Sequence, residues 1–174
     1  MAGTYEIIST QTLGTAEAIV TFSSIPQTYT DLVFVTQSRA STAGVNDKDI
    51  GIRFNGDASS VYSRTTLSGN GSTATSFRAT GNNVVYGAQH PLSSGTANVL
   101  GVATWNIMNY SQADTYKTVL VRSSCDGASV NDVRTVVGLW RGTIAGITSL
   151  SLILASGGSF AVGSTFSLYG IKAA

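Results

Sequence analysis

Short runs in which apolar and polar residues alternate recur along the whole chain. None of them sustains the i, i+3, i+4, i+7 spacing of an amphipathic helix, and Gly, Ser, Thr and Asn interrupt every longer window. The runs are rich in Val, Ile, Thr, Tyr and Phe, which favour strands. We therefore predict strands at 5–10, 18–22, 31–37, 50–55, 60–67, 83–86, 98–108, 117–123, 133–140, 147–154 and 165–171.

The alternation also predicts which side chains share a face. Ile50, Ile52 and Phe54 alternate with Gly, Arg and Asn and are expected to face inward. Two further sets are each predicted to share one face of a strand: Leu150 with Leu152 and Leu154, and Phe166 with Leu168. The Gly-rich stretches "SGNGSTATS" and "ASGGSFAVGS" match no phosphate-binding motif and are interpreted as loops.

About ten strands at short spacing, with no helices between them, predict an all-β fold of two packed sheets or a barrel. A jelly roll is favoured, because the number of strands and the loop lengths suit two four-stranded sheets with additions at the edges. The sequence shows neither a repeat nor a linker, so residues 1–174 are expected to form a single β-sandwich domain.

Charged residues are unusually scarce. They make up 11% of the chain, against a usual share of about 25%. The 23 Ser and 22 Thr supply the missing polarity, and the net charge is only +1. Copies of such a protein repel one another weakly, so self-association is favoured and a homo-oligomer is expected. This composition is typical of a protein that works inside an assembly.

The sequence also argues against several partners and locations. The ten Lys and Arg residues are scattered singly, whereas binding to nucleic acid needs clustered cations. The start "MAGTYEIIST" lacks the pattern of a secretory signal, and no apolar stretch approaches the roughly 18 residues of a membrane helix. The single Cys125 cannot form an internal disulfide, so synthesis in a reducing cytoplasm is expected.

The triplet Asn55-Gly56-Asp57 is either a turn or a site for a metal ion or a sugar. Asn-Gly is a strong hairpin signal, because both residues tolerate a positive φ. An EF-hand loop starting at Asp47 would need an acidic residue at its twelfth position, which is Ala58. The triplet is therefore interpreted as a plain turn, and no metal site is predicted.

The residues that catalysis would need are nearly absent. His90, the only histidine, precedes a proline and is interpreted as an ordinary surface residue, and no G-x-S-x-G motif occurs. Cys125 lies beside Asp126, which disfavours its thiolate, so it is read as a small residue in a turn. Asp47 and Asp49 form the closest carboxylate pair, in an expected exposed loop. Neither catalytic residues nor a cofactor are predicted, and the chain is not expected to be an enzyme.

Aromatic residues are the best candidates for contacts with a partner. Trp105 lies two residues from both Ala103 and Ile107, so it shares their face of the predicted strand and is expected in the core. Trp140 ends a predicted strand beside Arg141, where two alternatives stay open: partial exposure, or burial, which is the commoner state of an aromatic residue. Exposed aromatic residues near arginine are typical anchors of protein interfaces. The candidate partner-binding residues are Tyr5, Trp140 and Arg141.

Five stretches, taken in order, resemble a known group of proteins: "SSIPQTYTDLV", "IRFNGDASSVYSRTTLSGNGS", "MNYSQADTYKTVLVRSS", "VVGLWRGTIAGITSLSL" and "GGSFAVGSTFSLYGIKAA". The chain is similar over nearly its whole length to small virion structural proteins of tailed bacteriophages, including cyanophages and other phages of marine and freshwater bacteria. The resemblance implies a non-enzymatic, β-rich protein on the virion and supplies no catalytic residues. It leaves open whether the protein lies on the head or on the tail.

Two positions on the virion follow from this resemblance. A capsid decoration (cement) protein would bind the major capsid protein on the outside of the head, as a trimer if it follows the three-fold positions of the shell. A tail fibre knob would instead expose loops to host glycans. The short segments outside the first and last predicted strands favour the decoration protein. A cellular lectin-like module is a third reading, supported by the fold class alone.

Two segments are the expected contacts with the shell. They are the N-terminal residues up to Tyr5 and the loop "SRASTAGVNDKD".

Overall fold

The structure is a computed structural model that describes residues 4–41, 49–127, 130–155 and 157–172. Within these ranges the chain forms strands and no helix, which confirms the all-β prediction. The strands are β1 (Tyr5–Thr12), β2 (Ile19–Phe22), β3 (Asp31–Ser38), β4 (Asp49–Phe54), β5 (Tyr62–Gly69), β6 (Ala74–Asn82), β7 (Val85–Gln89), β8 (Gly101–Met108), β9 (Lys117–Gly127), β10 (Val130–Trp140), β11 (Leu150–Leu154) and β12 (Thr165–Ile171).

Two antiparallel sheets of unequal size form the sandwich. The large sheet has the order β1-β12-β3-β8-β9-β10-β5-β6, and the small sheet has the order β2-β11-β4-β7. The small sheet has the expected four strands, and the large sheet has four more, β9, β10, β5 and β6, which extend it from β8 to one edge. The last strand, β12, is a central strand between β1 and β3.

Strands from the two ends of the chain pair in a nested order. β1 pairs with β12, β2 with β11, β3 with β8 and β4 with β7. The hairpin of β5 and β6 lies in the chain between β4 and β7, and the hairpin of β9 and β10 lies between β8 and β11. The β9–β10 hairpin joins the large sheet beside β8 and the β5–β6 hairpin joins it beside β10, so both widen the sheet on the same side.

One hydrophobic core lies between the sheets. The predicted inward set is confirmed, since Ile50, Ile52 and Phe54 are at most 1% exposed. The other two predicted sets are also buried together: Leu150, Leu152 and Leu154 in β11, and Phe166 with Leu168 in β12. Trp105 is fully buried in β8, as its parity predicted.

The triplet after β4 is a turn, but it does not close a hairpin. Asn55 and Gly56 both have positive φ angles, 50° and 68°, and the Asp57 amide donates to the Phe54 carbonyl oxygen at 2.9 Å. β4 pairs with β7 and β11, whereas β5 pairs with β6 and β10. The turn therefore carries the chain from the small sheet to the large one, and the hairpin interpretation is wrong.

The stretch "SGNGSTATS", interpreted as a loop, contains a tight turn and the start of β6. Asn70 accepts hydrogen bonds through its side-chain oxygen from the amides of Ser72, at 3.0 Å, and Thr73, at 2.8 Å. Gly71 adopts a φ of 88°. β6 was missed because it is mostly exposed and carries few apolar residues, so its sequence lacks the alternation of a half-buried strand.

The two segments that are expected to contact the shell lie mostly outside the described residues. Residues 1–3 precede them, and the loop "SRASTAGVNDKD" falls largely in 42–48. The carboxylate pair Asp47 and Asp49 is described only at Asp49.

Candidate functional site on the outer face of the large sheet

The structure does not bring the three predicted contact residues together. Tyr5 is 60% exposed on β1, and Arg141 is exposed just after β10. Four strands lie between β1 and β10, which separates them by about 24 Å at the usual strand spacing. Trp140 is only 2% exposed, so of the two alternatives burial is correct and Trp140 is not available as a contact residue.

Trp140 belongs to the core because it shares the inward face of β10 with Val136 and Gly138. Its ring lies 5.8 Å from that of Phe54 and 6.4 Å from that of Tyr62. The indole Nε1 donates to Oδ2 of Asp57 at 2.7 Å, so the turn after β4 closes over the tryptophan.

Asp57 is held in its ionised form by the groups around it. A hydrogen bond from the Ser59 hydroxyl is the largest cause that lowers the pKa of Asp57, and the hydrogen bond from Trp140 adds to it. Tyr62 nearby is buried, which raises its pKa to about 12, and its hydroxyl donates to the Asp57 carbonyl oxygen at 2.9 Å. These contacts stabilise the turn.

His90 and Cys125 are both buried, contrary to prediction. His90 is 0% exposed, with Nδ1 at 3.5 Å from the Ser38 hydroxyl and its ring edge-on to Phe160. Burial lowers the pKa of His90 to about 4. Cys125 is 4% exposed and lies in β9, not in a turn. Neither side chain is positioned to reach a substrate.

The most concentrated charges form a compensated cluster. Asp49 contacts Nη1 of Arg134 at 2.9 Å and Nη1 of Arg64 at 3.6 Å, and Gln89 donates to it at 3.0 Å. Arg134 also reaches Asp132 at 3.3 Å. The carboxylates face arginines, which indicates a structural role. No group of three or more His, Cys, Asp or Glu within the described ranges is placed to hold a metal ion.

Apolar side chains are instead concentrated on the face of the large sheet that points away from the core. Side chains that alternate with the buried ones along a strand point to this outer face. Examples are Val102 and Met108 in β8, Leu120 in β9 and Val137 in β10. The exposed apolar residues on this outer face are Tyr5, Ile7, Leu67, Val102, Met108, Leu120, Val133 and Val137, with exposed fractions from 37% to 63%.

The strand register aligns these residues across the sheet. Directly opposite residues follow one another in the order Ile7, Tyr169, Val33, Asn106, Leu120, Val137 and Thr65. Eight strands at the usual spacing of about 4.8 Å give the outer face a width of about 34 Å. The apolar side chains are therefore parts of one continuous surface.

Few charges interrupt the outer face. Of the described charged side chains, the alternation along the strands places only three on this face: Asp31, Arg78 and Arg122. Hydroxyl pairs occupy much of the rest, such as Thr10 with Ser167 at 3.0 Å. An extended apolar surface with little charge is typical of a site where another protein packs.

The β5, β6 and β10 side of the outer face is grooved. A cavity of about 590 Å³ lies among Ser63, Thr65, Arg78, Thr80 and Val137. A second cavity of about 410 Å³ lies further along the same strands, beside Leu67 and Arg122.

The outer face was missed by the sequence analysis, although a signal for it exists. Val119, Leu120 and Val121 are consecutive apolar residues, as are Val136 and Val137. Such runs indicate a strand that is covered on both faces. In this chain only one face is covered, and the second apolar face is exposed.

No family model matches the chain, and searches among curated proteins and solved structures found no match either. None of the described elements is a helix of the length and hydrophobicity needed to cross a membrane.

Proposed function

We propose that this protein is a structural component of a tailed-phage virion and that it decorates the outside of the capsid. The observation that carries the proposal is the outer face, an apolar, hydroxyl-rich and nearly uncharged surface. The resemblance of five ordered sequence stretches to phage virion proteins supports the same assignment.

The nested strand pairing supports a jelly roll. Four pairs, β1 with β12 through to β4 with β7, follow the order of a long hairpin folded over on itself, and they divide into two four-stranded sheets. We interpret the other four strands as two hairpins inserted into this framework. Jelly rolls occur in viral capsid domains and in lectins, so the fold is compatible with a virion protein without specifying its position.

The outer face has the size that shell binding requires. With a width of about 34 Å and a strand length of roughly 23 Å, it offers about 800 Å². Each partner in a typical protein–protein interface contributes a similar area. A protein that binds the assembled major capsid protein, and not its dissociated subunits, favours assembly by mass action.

The test is to locate and count the protein on purified virions of the phage that encodes it, with gold-labelled antibody and electron microscopy. Hundreds of labels over the head are expected if the protein decorates the capsid. A few labels confined to the tail would contradict decoration, and absence from the particle would contradict any virion role. The lectin-like cellular module would then be the remaining reading.

One observation favours the tail fibre knob as a second candidate. The cavity of about 590 Å³ is lined by the hydroxyls of Ser63, Thr65, Thr80 and Thr118 and by Arg78, which are able to hydrogen-bond a sugar. A glycan array probed with the recombinant protein tests this candidate. Binding that disappears in Arg78→Ala would support the knob, and an array without signal would count against it.

A further inference from the structure

The strand β6 (Ala74–Asn82) forms one edge of the large sheet. It pairs with β5 on one side, and within the described ranges no strand pairs with its other side. Seven of its nine residues are exposed, and Ala79 and Asn82 are the two that are half-buried. The outward backbone amides and carbonyls of such an edge are a template for another strand.

The other edges of the two sheets are shorter or irregular. β1 has an extra residue at Ile8, where the register with β12 shifts. β2 has four residues and β7 has five, and β7 also has a register shift. Bulges and short strands are the usual means of preventing edge-to-edge association.

β6 has none of these features over most of its length. Its pairing with β5 is regular from Ala74 to Thr80, and the register shifts only beyond Thr80, near Gly81 with its φ of 71°. The regular segment contains no proline and one charge, Arg78. This segment is therefore the edge best suited to accept a further strand.

We propose that β6 pairs antiparallel with β6 of a second copy of this chain across a two-fold axis at Phe77. Phe77 is the midpoint of the regular segment, so this register pairs all of its residues: Ala74 with Thr80, Thr75 with Ala79, and Ser76 with Arg78 of the second copy. A register centred on Arg78 would place two guanidinium groups opposite each other, which is unfavourable.

The side chain at the axis suits this contact. Phe77 is 54% exposed, and its ring lies 5.4 Å from the Arg64 guanidinium, which is itself 5.1 Å from the Tyr86 ring. Pairing of the two Phe77 rings would bury their exposed surface. The net charge of +1 adds little repulsion between copies. The proposal goes beyond the virion role and does not depend on it, because it rests on β6 alone.

Sedimentation velocity over a concentration series tests whether the pair forms. A species with twice the 18.0 kDa mass of one chain is expected at high concentration. A protein that stays monomeric up to about 100 µM would overturn the proposal. So would a trimer or an open filament, which would indicate pairing of β6 with a different edge.

Single cysteine variants identify the register. In the proposed pair the two Cα atoms at position 77 are about 4.5–5.5 Å apart, within the range of a disulfide, so Phe77→Cys should form a linked dimer on mild oxidation. The two copies of position 75 are about 14 Å apart, so Thr75→Cys alone should not link, although it should link to Ala79→Cys. The wild type, whose single Cys125 is buried, is the negative control and should not form a linked dimer. Equal linking by Phe77→Cys and Thr75→Cys would contradict the register.

A charge change at the exposed Ser76 gives a readout that does not depend on folding. Ser76→Lys would face Arg78 of the second copy, and the two-fold axis repeats this contact, so the dissociation constant should rise about tenfold. Ser76→Glu is the matched control at the same position and should lower the dissociation constant. Equal dissociation constants for the two variants would exclude β6 from the interface.

Discussion

At the scale of single residues, His90 makes folding sensitive to acid. Its pKa is about 4 in the folded protein, because burial disfavours the charged ring, and about 6.5 in the unfolded chain. Between these values the unfolded chain binds a proton that the folded protein does not. The free energy of unfolding should therefore be constant above pH 6.5 and fall by about 3 kcal/mol as the pH decreases from 6.5 to 4. Urea unfolding at a series of pH values measures this.

The matched variant for this prediction is His90→Asn. It should be less stable than the wild type above pH 6.5, because the side chain is smaller. It should also lose the slope between pH 6.5 and 4, since the chain contains no other histidine. A variant with the slope of the wild type would show that other groups cause the acid sensitivity.

The second residue-scale prediction concerns Asp57 and Trp140. Asp57→Ala removes the acceptor 2.7 Å from the Trp140 Nε1, which leaves a buried N–H group without a partner. The free energy of unfolding should decrease by about 1–3 kcal/mol. Asp57→Asn keeps one acceptor oxygen and should lose less. Equal losses in the two variants, measured by urea unfolding, would show that the Trp140 hydrogen bond contributes little.

The alternation of residues along a strand predicts burial well in the middle of the strand but not at its end. Trp105 lies in the middle of β8, and its burial follows from the alternation with its neighbours. Trp140 has the inward parity of Val136 but ends its strand, so its burial depends on the turn that brings Asp57 over it. His90 is covered by Phe160, which is distant in the sequence. Contacts of this kind cannot be read from local patterns.

At the scale of elements, the two sheets approach closely where β10 has a glycine. A Cβ at Gly138 would overlap the side chain of Val85 in β7 and lie 2.9 Å from that of Val119. Gly138→Ala should therefore force the sheets apart and lower the free energy of unfolding by about 1–3 kcal/mol. The control is Gly69→Ala in β5, whose nearest contact would be at 3.7 Å. Thermal unfolding of both variants checks this, and equal midpoints would contradict the close approach.

Element prediction worked where one face of the strand is buried and failed at β6, which is mostly exposed. Buried strands such as β4 and β11 show the alternation that the core imposes. β6 packs little against the core and contains residues that also suit loops, so its pairing with β5 decides its structure. The Asn70 turn that makes this pairing possible depends on one side chain. This is why the one strand missed is also the edge proposed to bind a second copy.

At the scale of the whole molecule, the sequence predicted the class of fold but not the candidate site. Eleven of the strands follow from local patterns, whereas the eight-stranded sheet arises from pairing between distant segments, such as β10 with β5. The outer face exists only once these strands are aligned. Its residues are therefore spread over the sequence without a recognisable motif.

The whole-molecule prediction concerns how the protein binds a capsid. Val137→Lys places a charge in the middle of the outer face, where burial against a shell would desolvate it, so occupancy on capsids prepared without the protein should fall at least tenfold. Ile19→Lys is the matched control. Ile19 is 54% exposed and Val137 53%, but Ile19 lies on the outward side of the small sheet. The control should bind like the wild type. Equal occupancy of the two variants would mean that the outer face does not contact the shell.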